Sequence, residues 1–298
     1  MTTMSTKNST TTVNSTRTTL AALLVVACCV PARAEIHIFG ADHNTGKVVK
    51  FKEDGTLLWD FPNRNGHDVH LLPDGNVLIN PGTVQEVTPA GEVVWEVGPP
   101  VVRHAEACQR LPNGNTMIAD NGAHAILDVT PDKQVAWRYD VPGKPNMRQV
   151  RRLATGNTLI CASSQHVVLE VSPEKEVVWR YELPFPYLAQ RLENGHTLIS
   201  SGDGAGKRGH FLVEVDKDGK EVWKYGGADA PKDEQLAWPS GFVRLEDGTI
   251  YVSECHKARI RVISPDRKTH RFITSPAMKH AATIVVVDEP APAPAGER

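Results

Sequence analysis

The sequence lacks the short motifs that would assign a common chemistry. It has no CxxCH haem-attachment motif, no phosphate-binding loop, no HExxH zinc motif and no GxSxG nucleophile motif. It also lacks a surplus of charge, because 33 Lys and Arg face 35 Asp and Glu for a formal net charge of −2. A near-neutral chain does not carry the basic surface that nucleic acids attract. We therefore expect no nucleic-acid partner.

Long apolar runs are scarce as well. The longest, LAALLVVACCV (20–30), has 11 residues, whereas a transmembrane helix needs roughly 20. It follows Lys7 and Arg17 and precedes Ala32-Arg33-Ala34, which is the order of a secretory signal peptide cleaved after Ala34. We predict that residues 1–34 are such a signal, and that the protein is periplasmic or secreted with no transmembrane segment. An alternative is a lipoprotein box at VVAC (25–28), which would tether the chain through Cys28.

The rest of the chain is dominated by one sequence repeat. Five tryptophans recur at spacings of 36 to 44 residues, each four residues after a turn position; they are Trp59, Trp95, Trp137, Trp179 and Trp223. In the second copy, DVHLLP (68–73), NVLINP (76–81), VQEVTP (84–89) and EVVWEV (92–97) are separated by turn signals such as Asp74-Gly75. Four short antiparallel strands repeated about every 40 residues are typical of β-propeller blades.

The two ends of the array indicate how the ring closes. The first copy has three strands, IHIF (36–39), KVVKF (47–51) and TLLWDF (56–61), and the last copy is followed by a surplus strand, ATIVVVDE (282–289). Pairing this C-terminal strand with the N-terminal three completes a blade and removes exposed edges. We therefore predict an all-β, six-bladed propeller over residues 35–289, with a Pro/Ala-rich tail (290–298) that is disordered. A seven-bladed ring is the structural rival, but a seventh copy of the repeat is not found.

Residues that recur in every blade serve packing and turns. We assign the tryptophans and the Arg-Leu pairs at Arg110, Arg152, Arg191 and Arg244 to this class. Only Cys108, Cys161 and Cys255 follow the predicted cleavage site, in different blades, and we interpret them as small buried residues.

The histidines follow a different pattern, since most fall in connections that share one face of the ring. Of 12 histidines, nine are placed there: His43, His124, His166, His210 and His256 between second and third strands, and His67, His70, His104 and His280 where the chain begins an innermost strand. Imidazoles near neutral pH can bind a metal, transfer a proton or hydrogen-bond an anion. His124, His166 and His210 share a repeat position, so a purely structural role is the alternative for these three.

Other polar residues join the same rim. Asp68 follows His67, Arg103 and Glu106 flank His104, and Arg148 and Gln149 hold the equivalent position in the fourth blade. Arg and His around an axial funnel would suit an anionic or strongly polar small ligand. Two long connections in the fifth blade, GDGAGKRG (202–209) and GGADAPKDEQLAW (226–238), are predicted to wall one side of the funnel.

The sequences of the repeats resemble those of known propellers. LPNGNTMI, LATGNTLI and EVSPEKEVVWRYE resemble the repeats of secreted bacterial propellers of the PQQ-like and arylsulfotransferase-like kind, and GHDVHLLPDGNVLI (66–79) is similar to the His-Asp segment of arylsulfotransferases. The resemblance implies an axial histidine that accepts sulfate from one phenol and passes it to another. His67, His104, Arg148 and His280 are the positions that could take these catalytic roles.

Two functions follow. The first is a non-catalytic exported propeller, expected to be monomeric, that binds a small polar or anionic ligand or a protein through its His-rich rim. The remaining predicted ligand-binding residues of that rim are Asp68, His70, Arg103, Glu106, His124, Gln149, His166, His210 and His256. The second is an axial-histidine enzyme, either a sulfotransferase or a lyase or hydrolase with a divalent metal on rim histidines. PQQ itself is not expected, because the chain carries no pattern for binding that quinone.

Overall fold

A computed structural model describes Met1 and residues 35–202 and 208–289 of the 298-residue chain. The chain divides into two units, Met1–Arg33 and Ala34–Arg298, and the elements below belong to the second. The predicted signal peptide, the tail 290–298 and residues 203–207 of the first long connection lie outside the described residues.

The described residues form 24 strands and two single 3₁₀ turns. The first twelve strands are β1 (Glu35–Asp42), β2 (Lys47–Lys52), β3 (Leu57–Pro62), β4 (Val69–Leu71), β5 (Val77–Ile79), β6 (Val84–Val87), β7 (Val93–Val97), β8 (Ala105–Arg110), β9 (Thr116–Asp120), β10 (Ala125–Val129), β11 (Val135–Asp140) and β12 (Val150–Arg152). The others are β13 (Thr158–Ala162), β14 (Val167–Val171), β15 (Val177–Glu182), β16 (Pro186–Arg191), β17 (Thr197–Ser201), β18 (Phe211–Val215), β19 (Glu221–Gly226), β20 (Pro239–Arg244), β21 (Ile250–Glu254), β22 (Arg259–Ile263), β23 (His270–Ile273) and β24 (Ala281–Glu289), with 3₁₀ turns at Ser163–Gln165 and Cys255–Lys257.

These strands form six four-stranded antiparallel sheets, one per blade. Blade 1 has the order β24-β1-β2-β3, and blades 2 to 6 each take four consecutive strands, from β4–β7 to β20–β23. β24 pairs with β1 from Glu35↔Glu289 to Asp42↔Ala281. The predicted six-bladed propeller and its closure by the C-terminal strand are therefore confirmed.

The turn before each outermost strand explains the spacing of the repeat. The residue four positions before each repeat tryptophan has positive φ, with Gly at three positions and Lys133 (φ 67°) and Lys175 (φ 73°) at the other two. A bulge follows in each of these hairpins, as between Glu86 and Val87. The left-handed turn and the bulge fix the register that brings each tryptophan opposite a polar residue of the third strand.

The repeat tryptophans lie at the junctions between blades, which agrees with their assignment to packing. The Trp95 indole N–H donates to the Pro131 carbonyl of the next blade at 2.8 Å, and Arg110 of that blade stacks on the Trp95 ring and pairs with Glu86 at 2.6 Å. The same trio of Trp, Arg and acid recurs as Trp137 with Arg152 and Asp128, and as Trp179 with Arg191 and Glu170. At the junction between blades 5 and 6, Arg267 covers Trp223 and pairs with Glu214, and the Arg244 of the Arg-Leu pair does not.

The core is likewise divided among the junctions. Each of the six contacts between neighbouring blades encloses its own group of buried apolar side chains, including the one that joins blade 6 to blade 1. Cys108, Cys161 and Cys255 are buried and unpaired in disulfides, which confirms their structural interpretation. Burial raises the pKa of the Cys255 thiol to about 12, so it is not a thiolate at neutral pH. Among the described residues, no helix has the length and apolar character needed to cross a bilayer.

Candidate functional site

Three of the axial histidines are positioned by the same arrangement of hydrogen bonds. The polar side chain at the end of a blade's second strand accepts hydrogen bonds from the two backbone N–H groups that begin its first strand. Asn80 receives the N–H groups of His67 and Asp68, and Asp120 receives those of Arg103 and His104. Asp42 receives those of Lys279 and His280. The backbone at each histidine is therefore fixed by a local contact within its own blade.

The rings of five histidines form a continuous chain of contacts at the rim. The ring of His43 stacks on that of His67, with centroids 4.6 Å apart, and lies 6.3 Å from that of His280. The ring of His256 lies 5.7 Å from His280 and 6.4 Å from His210. We call these five residues, with His104, Glu106 and Arg148, the axial cluster. The sequence placed all of them on this rim, although it did not include His43 among the site residues.

Glu106 is the centre of the axial cluster. Its carboxylate is 3% exposed, accepts a 2.6 Å hydrogen bond from Arg148 Nη1, and lies 3.5 Å from His67 Nδ1 and 4.0 Å from His104 Nε2. Arg148 also stacks over the rings of Phe185 and Tyr187. The Arg and the carboxylate neutralise each other, so the histidines determine how the charge of the site depends on pH.

Burial controls the protonation of these groups. Desolvation, reinforced by the charge of Arg148, lowers the pKa of His67 to about 3. The pKa of His280 is also lowered, first by burial and then by His256. Burial raises the pKa of Glu106, although Arg148 opposes this shift. His67 is consequently a neutral imidazole near pH 7, able to donate from one nitrogen and to accept or attack with the other.

Several buried polar atoms here have no hydrogen-bond partner among the described residues. They include Arg148 Nε, His67 Nδ1, His43 Nδ1 and Gln149 Oε1. The amide nitrogen of Gln149 is satisfied by Thr283 Oγ1 at 2.7 Å. Buried polar atoms in native proteins are nearly always paired, so a concentration of unpaired ones indicates a place for a polar ligand or water.

An aromatic wall bounds one side of the axial cluster. The Trp238 ring lies 5.0 Å from His256 and 5.6 Å from both Phe185 and His210. Trp238 ends the long connection 226–238 and has a positive φ of 60°, unusual for a bulky residue. The buried side chain of Arg261 donates to the backbone carbonyls of Asp233 and Gln235 and so anchors this connection.

The sequence predicted that the connection 226–238 forms part of this wall but did not assign Trp238 to the site. The signal was present, because Trp238 is the one tryptophan outside the repeat and therefore does not serve the packing common to all blades.

Some predicted site residues lie elsewhere. His70, three residues beyond His67, lines a separate cavity of about 320 Å³ with Arg151 and Gln190. Because a strand rises about 3.3 Å per residue, His70 lies about 10 Å further along the axis. The prediction placed His70 at the rim because it gave His67 and His70 the same position at the start of β4. Asp68 is turned to Arg151 in a buried ion pair and does not belong to the axial cluster.

His124 and His166 make local contacts and are not part of the axial cluster. Both adopt left-handed conformations, with φ of 51° and 57°. His124 Nδ1 contacts the Pro145 carbonyl, and His166 Nδ1 accepts the Phe185 N–H at 3.1 Å. These contacts favour the structural alternative for the two residues. Arg103 is exposed at the edge of the rim, and only its backbone is held there, by Asp120.

The described residues do not include a preformed metal site. Among residues 35–202 and 208–289, no three His, Cys, Asp or Glu side chains are arranged to hold a metal ion. The rim histidines contact one another mainly through ring faces and edges, whereas a metal requires nitrogen lone pairs that converge on one point.

Comparison with known proteins supports the fold. No protein-family model matches the sequence, and a search of curated proteins finds no match. Among solved structures, a Bacteroides caccae protein of unknown function aligns with a TM-score of 0.69 at 18% identity, covering 86% of this chain and 100% of that one.

Two other solved structures are similar at lower identity. A catalytically inactive His-to-Ala variant of virginiamycin B lyase from Staphylococcus aureus, in complex with quinupristin, aligns with a TM-score of 0.59 at 11% identity, covering 83% of this chain and 86% of the lyase. A chain of the nidogen/laminin complex aligns with a TM-score of 0.66 at 10% identity, covering 85% and 99%. At these identities the likeness concerns the propeller fold, which one protein uses as a lyase and another in a protein complex.

Proposed function

We propose that this chain is an exported propeller of the PQQ-like, arylsulfotransferase-like kind that binds a small polar or anionic ligand at the axial cluster. The observation that supports this most directly is the set of unpaired buried atoms, Arg148 Nε and the Nδ1 atoms of His67 and His43, beside an Arg–Glu pair. A ligand that accepts hydrogen bonds from these groups removes the free-energy cost of leaving them unsatisfied.

The charge of the site restricts the ligand. Glu106 already neutralises Arg148, and His67 is uncharged near pH 7, so the site has no large excess of positive charge. A singly charged carboxylate, a sulfate ester or a polyhydroxylated molecule fits this balance better than a polyphosphate. A protein partner that inserts an acidic side chain into the funnel is the macromolecular form of the same interaction.

Calorimetric titration with a panel of small carboxylates, sulfate esters and sugar acids tests the proposal. Arg148→Gln is expected to weaken binding of the best ligand by roughly tenfold or more, the value of one hydrogen bond to a charged group. Arg103→Gln removes the same charge at the exposed edge of the rim and is the matched control, expected to change the affinity little. Equal losses in the two variants would contradict the axial assignment, provided that both melt like the wild-type protein.

An axial-histidine enzyme is the second candidate, and the neutral state of His67 favours it. A neutral imidazole can act as a nucleophile, and the Glu106 carboxylate, 3.5 Å from His67 Nδ1, can stabilise the cation that forms. Sulfuryl transfer between phenols is the reaction that the arylsulfotransferase resemblance implies. A metal-dependent lyase or hydrolase would require the rim histidines to rearrange before three nitrogens converge.

Export and the absence of PQQ are part of the same proposal. Secretion with cleavage after Ala34 gives a monomeric periplasmic or secreted protein that begins at Glu35, and the lipoprotein alternative gives one that begins at a lipidated Cys28. The mass of the processed N-terminal peptide from a secreting host distinguishes the two.

A further inference from the structure

The junction between blades 1 and 2 breaks the pattern of the three junctions that follow it. At three junctions an acid of the third strand lies in register with the tryptophan, as Glu86 does with Trp95, and an Arg of the next blade fills the space between them. The residue in register with Trp59 is Lys50. The residue at the Arg position is Leu71, because the usual Arg-Leu pair is replaced by Leu71-Leu72.

This exchange leaves a cavity in the position that an Arg side chain fills at those three junctions. The cavity has a volume of about 520 Å³, and its walls include Phe39, Leu58, Trp59, Leu71 and Val77. Lys50 and Glu289 also line it. The size lies within the range of small-molecule sites, and a mostly apolar lining with few polar groups is typical of them.

The polar groups of this cavity include one ion pair and one indole donor. The Lys50 ammonium donates to Glu289 at 2.6 Å and lies 5.2 Å from the centre of the Phe39 ring. Glu289 is 39% exposed and ends β24, so its contact with Lys50 can be replaced. The Trp59 indole N–H, like that of Trp223, makes no hydrogen bond to the described part of the chain, whereas the indoles of Trp95, Trp137 and Trp179 each bind a carbonyl of the next blade. The Trp59 indole N–H, and the Lys50 ammonium once Glu289 is displaced, are the two donors that a ligand can reach in this cavity.

We propose that the cavity between blades 1 and 2 is a second ligand site, separate from the axial cluster, for a small molecule with a flat apolar body and a carboxylate. The apolar body packs against Trp59 and Leu71 in the volume that an Arg side chain occupies at the other junctions. The carboxylate binds the Lys50 ammonium in place of Glu289. A cationic analogue is disfavoured because Lys50 stands where blades 2 to 5 place an acid.

Calorimetry with three naphthalene probes tests the charge requirement. 2-Naphthoate is expected to bind the wild-type protein roughly tenfold more tightly than 2-naphthylmethanol, the value of one charge-assisted hydrogen bond, and 2-naphthylmethylammonium is expected to bind more weakly still. Lys50→Met should remove the preference for the carboxylate while leaving the alcohol's affinity nearly unchanged. Equal binding of anion and cation to the wild-type protein would overturn the proposal.

A variant that restores the repeat tests the location. Leu71→Arg with Lys50→Glu rebuilds the trio seen at Arg110, Glu86 and Trp95, and it is expected to abolish 2-naphthoate binding while the melting temperature is kept or raised. Arg148→Gln, which alters the axial cluster, should leave unchanged the part of 2-naphthoate binding that Lys50→Met weakens. Undiminished binding to the folded restored variant would refute the site. If that variant does not fold, Lys50→Met alone decides, because retained preference for the carboxylate contradicts the role of Lys50.

Discussion

Asp68 and Arg151 form a two-point ion pair at the inner ends of blades 2 and 4, with Nη2–Oδ1 and Nη1–Oδ2 distances of 2.8 and 2.9 Å. Asp68 is fully buried and also accepts the backbone N–H of Cys108 in blade 3 at 3.0 Å. The pair therefore joins three consecutive blades. It lies between the axial cluster, which contains His67, and the cavity lined by His70.

Breaking this pair on one side should destabilise the ring. Asp68→Leu leaves the Arg151 guanidinium, whose side chain is 23% exposed, without a counter-charge, and we expect a loss of about 3 kcal/mol in the free energy of unfolding, the low end for breaking a buried pair. Asp68→Leu combined with Arg151→Met removes both charges and should recover much of the loss. Urea denaturation of the two variants measures the difference, and equal stability of both would show that the buried charge is not the cause.

Trp137 is expected to contribute to stability without affecting the ligand sites. Its indole donates to the Pro173 carbonyl at 2.9 Å and stacks under Arg152, but it is only partly buried, so Trp137→Ala should cost about 3 kcal/mol, the low end for such a change. Val135→Ala, on the same strand with an exposed side chain, is the control and should stay within about 0.5 kcal/mol. Loss of axial ligand binding in folded Trp137→Ala would mean that the site depends on the outer strands.

The sequence was sufficient to predict the fold because the information is local and repeated. Turn residues and alternating apolar strands specify each blade, and six copies of one signal are hard to misread. Even the closing strand was predictable, since ATIVVVDE (282–289) had no other partner and observed β24 differs from it by one residue.

The site was less predictable because it depends on distances along the axis and between blades. The pattern placed His67, His104, Arg148 and His280 on one rim, and they do meet there. It could not show that His70 lies about 10 Å deeper, nor that Asp68 turns to Arg151, because both depend on side-chain direction at the start of a short strand. Trp238 was missed because its role depends on a long connection without a repeat counterpart.

Removal of β24 should prevent folding. A chain that ends at Lys279 loses the innermost strand of blade 1 and the side chains of Ala281 and Ile284, which are buried at the contact with blade 6. The loss of several kcal/mol is comparable to the whole stability of a typical domain. Circular dichroism during heating should show no cooperative transition. Adding a synthetic peptide of residues 280–289 should restore the transition, and a truncated chain that melts like the full one would disprove closure by this strand.

Acid should weaken the fold through the buried imidazoles. Burial, followed by the charge of Arg151, lowers the pKa of His70 to about 4, whereas the unfolded residue titrates near 6.5. Between these values the unfolded chain binds the proton and the folded chain does not, so the stability from His70 is complete above about pH 6.5 and falls as the pH approaches 4.

Replacement of His70 tests this dependence. His70→Gln should reduce the difference in urea midpoint between about pH 7.5 and pH 5 relative to the wild-type protein. His104→Gln, at a side chain that is 48% exposed, is the control and should leave that difference nearly unchanged. A steeper pH dependence in His70→Gln would reverse the assigned sign.

Sulfuryl transfer can be tested directly at His67. With phenyl sulfate as donor, attack by a neutral imidazole nitrogen forms an N–S bond, breaks the S–O bond and releases phenolate, which takes a proton from solvent. Acid-free mass spectrometry of the quenched protein should then detect an adduct of the mass of SO₃ on a peptide that contains His67, absent in His67→Gln. If neither adduct nor phenol release is observed with a range of donors, the binding function remains and the transferase does not.

Glu35 and Glu289 lie opposite each other in the register of β1 and β24, so the described propeller begins and ends at adjacent backbone positions of one blade. A short flexible linker between them would join the ends without disturbing a sheet. New termini could then be opened at an exposed turn of another blade, such as Asn113–Gly114, to give a circularly permuted protein with every strand pairing intact. The order in which the six blades are synthesised would thereby become an experimental variable independent of the folded ring.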